Sequence, residues 1–243
     1  MPWECRPLLR HLRQVRRERV GGFTVWRART LRGEVVLMKT GVGPRQAHEA
    51  ATALSSSGRF DAFISTGCAG GLSAQAAPGD VIIATLAVSE MTGEQFATDP
   101  CWSDQAHAVA TRSGLTVHRG PILCVEQALS TSESKRIAAA NGNIAVEMEG
   151  AAIAACAAAT QTPFVALRSI LDGAGTNLSA DAKLIDPVSG AVKPLALAKY
   201  VATNSAALSN LLAMQRMMQA AQRSLDRFFA AWLASPFPKS TVN

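Results

Sequence analysis

AVEMEGAAIAACAAATQTPFVALRSILDGAG, residues Ala145 to Gly175, decides how the rest of the chain is read. It sets Glu147, Glu149 and Asp172 in one of the most apolar tracts of the sequence, where a carboxylate is costly unless it is paired or employed. Gly150 to Ala159 is nearly pure alanine, a composition that favours helix, so a helix is expected to begin near Glu149. Thr162-Pro163 ends it, and Phe164-Val165-Ala166-Leu167 is the short apolar run of a buried parallel strand. Arg168 to Asp172 then leaves the carboxyl end of that strand. In open α/β sheets the ligand crevice lies outside those ends, so Glu147, Glu149, Arg168 and Asp172 can converge on one site. Singly, each has a plainer reading: the glutamates suit a helix N-terminus, and Asp172 suits a loop cap.

Outward from this stretch, strands alternate with helices. Leu8 to Val20 reads as an amphipathic helix, and Phe23 to Ala28 and Glu34 to Thr40 as strands joined by a turn at Arg32-Gly33. Gly41-Val42-Gly43-Pro44 breaks the second strand and opens a helix through Leu54. Asp61 to Thr66 is the next strand, and Gly67-Cys68-Ala69-Gly70-Gly71 its glycine-rich exit loop, whose backbone amides can approach a ligand. Strands are expected over Val81 to Val88, Val117 to Val125 and Ile144 to Val146, helices over Gln105 to Ser113 and up to Ala140, and a loop over Met91 to Pro100. Ser130 to Glu133 has the look of a capping box. Thr176 to Lys193 reads as a long, polar, lid-like loop, and Leu195 to Leu233 as helix. The pattern is α/β, one mixed central β-sheet flanked by helices, as a single domain over residues 1–243 with a distinct helical C-terminal part from about 195.

Composition narrows the function classes. Hydrophobic residues make up 48% and charged residues 17% of the 243, ample for a core and unlike a disordered chain. Much of the net charge of +6 lies in Arg6, Arg10, Arg13, Arg16, Arg17 and Arg19, which have no interleaved aromatics. A solvated face is the expectation there, with no nucleic-acid partner, while an acidic membrane surface stays open. The scattered cysteines lack a C-x-x-C pair and the four histidines lack ligand spacing, so no metal site is expected, and the thiols suit a cytoplasmic location.

VEMEGAAIA, followed by PFVALRSILD, resembles the paired signature of the nucleoside phosphorylase and nucleosidase superfamily. Thr40 to Gly43 and Ser65 to Leu72 extend the resemblance, which spans roughly Met1 to Gly175. It is strongest to nucleosidases of 5'-methylthioadenosine and S-adenosylhomocysteine and to hopanoid-associated nucleosidases. The resemblance implies an N-ribosyl hydrolase acting on a small-molecule purine nucleoside without metal or organic cofactor, in a homodimer or larger homo-oligomer. Carried over residue by residue, Asp172 is the general acid and Glu149 holds the ribose hydroxyls. Met148 packs on sugar and base, Glu147 lies beside the sugar, and the backbone of Cys68, Ala69 and Gly70 lines the ligand. Glu4 is the water-activating base, and Arg168 orients the water or pairs with Glu4. The family's first strand before Glu4 is missing, so Glu4 also reads as a first-turn glutamate favoured by the helix dipole. Phosphorylases of this kind bind phosphate at positions held here by Ser65 and Cys68, which supply no guanidinium fork, so water is the expected nucleophile. A phosphorylase and a non-catalytic, membrane-associated protein are the alternatives. Phe228, Phe229 and Trp232 beside arginines suggest a helix that covers an apolar 5' substituent, as in adenosylhopane, or rests on a membrane; ordinary core packing is the alternative.

Overall fold

The computed structural model describes residues 2–30, 33–177 and 207–238. After helix α1 (Pro2–Leu9) come β1 (Arg16–Val20), β2 (Phe23–Thr30) and β3 (Gly33–Met38), a three-stranded antiparallel sheet in that order. The helix therefore ends at Leu9, and Arg16 to Val20 is strand, where the apolar stripe predicts helix through Val20. Local turn chemistry decides against the helix. Val20 pairs with Phe23 across a two-residue loop, Gly21-Gly22, whose φ values are +55° and +84°. Tight hairpins favour positive φ at both loop positions, and two glycines adopt it at no steric cost. Glu18 and Arg27 then pair across the strands at 2.5 Å, and Arg16 to Arg19 are exposed.

The remaining strands are β4 (Phe63–Gly71), β5 (Val81–Ser89), β6 (Gln95–Ala97), β7 (Val117–Cys124), β8 (Ala145–Glu147) and β9 (Phe164–Asp172). They form a mixed sheet in the order β6-β5-β7-β8-β4-β9, and an added β5–β9 pairing closes it on itself. The expected single sheet is thus accompanied by the small hairpin sheet. Helices α2 (Pro44–Ser55), α3 (Pro100–Arg112), α4 (Ser132–Ala139), α5 (Gly150–Ala159) and α6 (Ala207–Ala234) complete the described chain. Asp99 caps α3 by accepting from the Trp102 amide, with Pro100 behind it, so this helix starts five residues earlier than Gln105.

Strand β9 sorts the core. Phe164, Ala166 and Ile170 join the apolar cluster containing Ala51 of α2 and Ala154 and Ala157 of α5. Val165 and Leu167 point into a second cluster with Leu8, Trp102, Leu225, Phe228, Phe229 and Trp232. The small side chains of α5 let α2 approach closely, while α6 fills the other side with aromatics, Trp232 stacking on Trp102 at 6.1 Å. Phe228, Phe229 and Trp232 are 1%, 4% and 4% exposed, so the aromatic face expected to meet a 5' substituent or a membrane is core. The alternation of polar and apolar residues on a helix gives its buried face but not what buries it. Among the described residues no helix is long and apolar enough to cross a membrane. Residues 178–193 of the expected lid loop, and the expected helix before Ala207, lie outside the described residues.

Candidate active site

The glycine-rich run Gly67 to Gly71, expected as a loop, is the second half of β4 and pairs with β9 and β8. Glycines in mid-strand mark close approach by other groups. Gly67 has φ +151°, and a Cβ there would stand 2.9 Å from Glu4 Oε1. At Gly70 a Cβ would meet Val146 Cγ1 at 3.1 Å and the Asp172 carboxyl oxygens at 3.7 and 3.8 Å. Gly67 therefore clears space for the Glu4 carboxyl, whereas Gly70 makes room for Val146 and borders the Asp172 carboxyl at ordinary contact distance.

Glu4 enters from the first turn of α1, and its Oε1 accepts from the Cys68 amide at 2.9 Å. Asp172 enters from the end of β9. There the register with β4 slips, Ala69 facing Ile170 while Gly70 faces Asp172, so Leu171 is an extra residue. Such a bulge bends a strand and re-aims the next side chain, and it carries Asp172 to Gly70. About 7 Å of strand, at about 3.3 Å per residue, separates the two points of contact.

The VEME segment is held by an ion pair inside the fold. Arg168, 2% exposed, donates from Nη2 to Glu147 Oε2 at 2.5 Å and to Ser65 Oγ at 2.7 Å. Both Glu147 oxygens are engaged: Oε1 accepts from the Cys124 thiol at 2.6 Å, and the amides of Glu149 and Gly150 donate to the carboxylate at 2.8 to 2.9 Å. Burial pushes Glu147 up, but Arg168, the thiol and the amides outweigh it and hold the carboxyl below its usual range. Burial likewise opposes the Arg168 charge, yet Glu147 and Glu149 keep that guanidinium more firmly protonated than usual. Arg168 thus pairs with Glu147 rather than with Glu4, because the β8–α5 turn brings the glutamate over strand β9. Arg168 Nε is buried without a hydrogen-bond partner among the described residues. Glu147, saturated and 6% exposed, has no oxygen left to turn towards a sugar. It clamps the N-terminus of α5 and so aims its neighbours.

Those neighbours are Met148, half-buried against Leu72, Leu123, Val125 and Val146, and Glu149, the residue before α5. Glu149 makes no side-chain cap; its Oε1 accepts instead from the Gly43 amide at 2.9 Å, across the break before α2. Gly43 has φ +94°, a conformation that glycine alone adopts freely, and its amide is thereby turned to the carboxyl. Burial, then the Glu147 charge, raise the Glu149 pKa to about 7. The carboxyl is therefore poised to change charge near neutrality. Of the backbone expected to line a ligand, Cys68 presents its amide to Glu4, Ala69 is 4% exposed in the core, and Gly70 borders Asp172.

Reading along the sequence missed Lys135 and Cys124, and it noted Ser65 only as a phosphate position of phosphorylases, not as the acceptor of a bond from Arg168. Lys135 is 1% exposed and donates to Asp172 Oδ2, and to Gly173 O at 2.8 Å. Burial raises the Asp172 pKa, against the lowering effect of that lysine. Only one signal pointed to Lys135, a lysine inside an otherwise amphipathic helix, and that pattern ordinarily means a solvated face.

A mixed sheet closed by its own strands carries Glu147 and Asp172 at the ends of β8 and β9, Arg168 within β9, and Glu149 just before α5, the architecture of an α/β domain with acidic groups at its strand ends. Residues 1–202 match the phosphorylase superfamily, and the chain belongs to that family. Among curated relatives, a 5'-methylthioadenosine/S-adenosylhomocysteine nucleosidase of Haemophilus influenzae is 31% identical over 185 residues, 68% of this chain and 80% of the relative. One of Bacillus cytotoxicus is 30% identical over 201 residues, 74% and 87% of the two chains. The Neisseria meningitidis nucleosidase of the same name, solved with methylthio-immucillin-A, superposes with a TM-score of 0.76 at 23% identity, covering 95% of this chain and 94% of its own. That last likeness concerns the fold.

Proposed function

We propose that this chain is a purine nucleosidase that hydrolyses the N-ribosidic bond of an adenosine carrying an apolar 5' substituent. The observation that carries the reading is the placement of Glu4 and Asp172 at two successive points of β4, one at the Cys68 amide and one at Gly70. Cleavage needs a proton at the departing base and a nucleophile at the sugar carbon. Asp172 gives its proton to an imidazole nitrogen of the purine, a step worth about a hundredfold to ten-thousandfold. Glu4 takes a proton from the attacking water. Glu149, in its ionised form, accepts from the ribose hydroxyls and stabilises the positive charge that develops on the sugar. Met148 packs on sugar and base with a flexible thioether. Arg168 and Glu147 position rather than react: their buried pair fixes the β8–α5 turn from which Met148 and Glu149 project.

Water is favoured over phosphate by what surrounds Ser65. That side chain, 2% exposed, accepts from Arg168, and Arg168 is itself committed to Glu147, which leaves no guanidinium fork for an anion. The 5' group is read from the relatives, named for 5'-methylthioadenosine, whose thioether is apolar, and for S-adenosylhomocysteine, whose thioether ends in a charged amino acid; the apolar preference follows the first. Adenosylhopane is retained as the bulky limit of that class, now without the aromatic helix face as support. Homo-oligomerisation belongs to the same reading and is checked by sedimentation. The test is to incubate the protein with adenosine, 5'-methylthioadenosine, S-adenosylhomocysteine and adenosylhopane, and to measure free adenine. Adenine release with a higher kcat/KM for 5'-methylthioadenosine and adenosylhopane than for adenosine and the charged S-adenosylhomocysteine is expected. Adenine from adenosine alone would remove the apolar 5' preference, and no release from any of them would leave a non-catalytic binding protein.

A further inference from the structure

Helix α4 does more than pack Ala138 and Ala139 against the cluster of Leu72, Leu123, Val125 and Val146. Its N-terminus is fixed by a reciprocal cap in which the Ser134 amide donates to Thr131 Oγ1 and the Thr131 amide to Ser134 Oγ. The Ser132 amide also donates to Asn177 Oδ1 at 2.7 Å, which ties the helix to the segment that follows Asp172. One turn on, Lys135 points inward. Its ammonium meets Asp172 Oδ2, Gly173 O at 2.8 Å and Thr176 O at 3.4 Å, so its three donors meet three oxygens. Asp172 Oδ1 accepts no hydrogen bond among the described residues, and the oxygen lies beside Gly70, 3.7 Å from where a Cβ would stand.

We propose that Lys135 is a positioning residue for the proton-delivering carboxyl: it holds Oδ2 of Asp172 and thereby presents Oδ1 to the departing base. This rests on the nucleosidase reading above. A carboxyl on the last residue of a strand has free rotation about two bonds, and catalysis tolerates little of it. The ammonium, itself locked by two carbonyls, removes that freedom. It also opposes the effect of burial, which makes Asp172 a reluctant acid. A lysine chosen only to fill space at a 1% exposed position would be an expensive choice, since an ammonium there demands full pairing.

The experiment compares wild type, Lys135→Met, Asp172→Asn and the double variant on two substrates. One is 5'-methylthioadenosine, whose leaving base needs a proton; the other is 4-nitrophenyl ribofuranoside, whose leaving group does not. Lys135→Met is expected to lower kcat on the nucleoside about tenfold to a hundredfold, a part of what a positioned acid supplies, with KM changed less than about threefold. On the nitrophenyl riboside kcat stays within about threefold of wild type, because no proton is delivered. Lys135→Met leaves a buried carboxylate unpaired and can fail to fold, whereas the double variant removes both charges. The double variant is therefore the decisive one: if the lysine acts through Asp172, its kcat/KM on the nucleoside equals that of Asp172→Asn. A double variant weaker than Asp172→Asn by tenfold or more, or an equal loss on both substrates, overturns the proposal. A wild type that cleaves the nitrophenyl compound but no nucleoside removes the purine nucleosidase reading, and the inference with it.

Discussion

Replacing Glu149 by glutamine is expected to make the protein more stable, and increasingly so as pH rises. Burial and the neighbouring Glu147 raise the carboxyl from 4.5 to about 7 in the folded chain, despite the Arg168 charge and the Gly43 amide. The folded state then holds this proton more tightly than the unfolded state does, so stability falls as pH climbs through the interval between the two values and stays withdrawn above it. At about 1.4 kcal/mol per pKa unit, and allowing for partial exposure, ionised Glu149 costs the fold about 2 to 3 kcal/mol. Glutamine keeps an oxygen for the Gly43 amide and carries no charge. In urea unfolding without ligand, the variant should exceed wild type by less than about 1 kcal/mol at about pH 5 and by about 2 to 3 kcal/mol at about pH 8. For a chain of this size the latter is a rise in Tm of about 4 to 10 °C. Its activity on ribosides should collapse at the same time, the loss on 2'-deoxyribosides being smaller. Equal stability at both pH values, or a less stable variant at about pH 8, would refute the electrostatic reasoning.

Asp172→Asn should lower kcat for adenine release at least about a hundredfold while nucleoside affinity, followed by equilibrium dialysis, changes little. Gly67→Ala should displace Glu4, whose Oε1 would stand 2.9 Å from the new Cβ; we expect a fall in kcat of about tenfold or more, and a variant of wild-type rate would separate Glu4 from the chemistry. Trp232→Ala should lose about 3 to 5 kcal/mol of stability by calorimetry, as for any large aromatic deleted from a core, with all substrates affected together. A folded variant selectively weakened on bulky 5' groups would return this helix to the substrate site.

The sequence exposed the parts of this account that depend on local pattern. The alanine helix α5, the apolar strand β9 and the proline-led start of α2 follow from residues within one element. Glu147, Glu149, Arg168 and Asp172 stood out because charges in apolar surroundings require an explanation. What stayed hidden depends on partners remote in the chain. The Arg168 side chain settles on Glu147 and not on Glu4 only because β8 lies in the sheet as it does. Lys135 reaches Asp172 across 37 positions, and no periodicity along α4 announces that contact. At the start of the chain, Gly21-Gly22 turned a segment read as helix into a hairpin, a turn signal that the apolar stripe of Leu8 to Val15 obscured. The aromatics of α6 had both readings open from periodicity alone, and packing on Trp102 makes them core.

The most direct test of the central claim is a product balance. 5'-Methylthioadenosine is incubated with the wild-type protein in phosphate-free buffer and again with added phosphate, and adenine, free reducing sugar and sugar 1-phosphate are quantified together. Hydrolysis at the Glu4–Asp172 site predicts adenine and free sugar in equal amounts, at the same rate in both buffers, with no sugar phosphate. Adenine that appears only with phosphate, matched by sugar 1-phosphate, would contradict it.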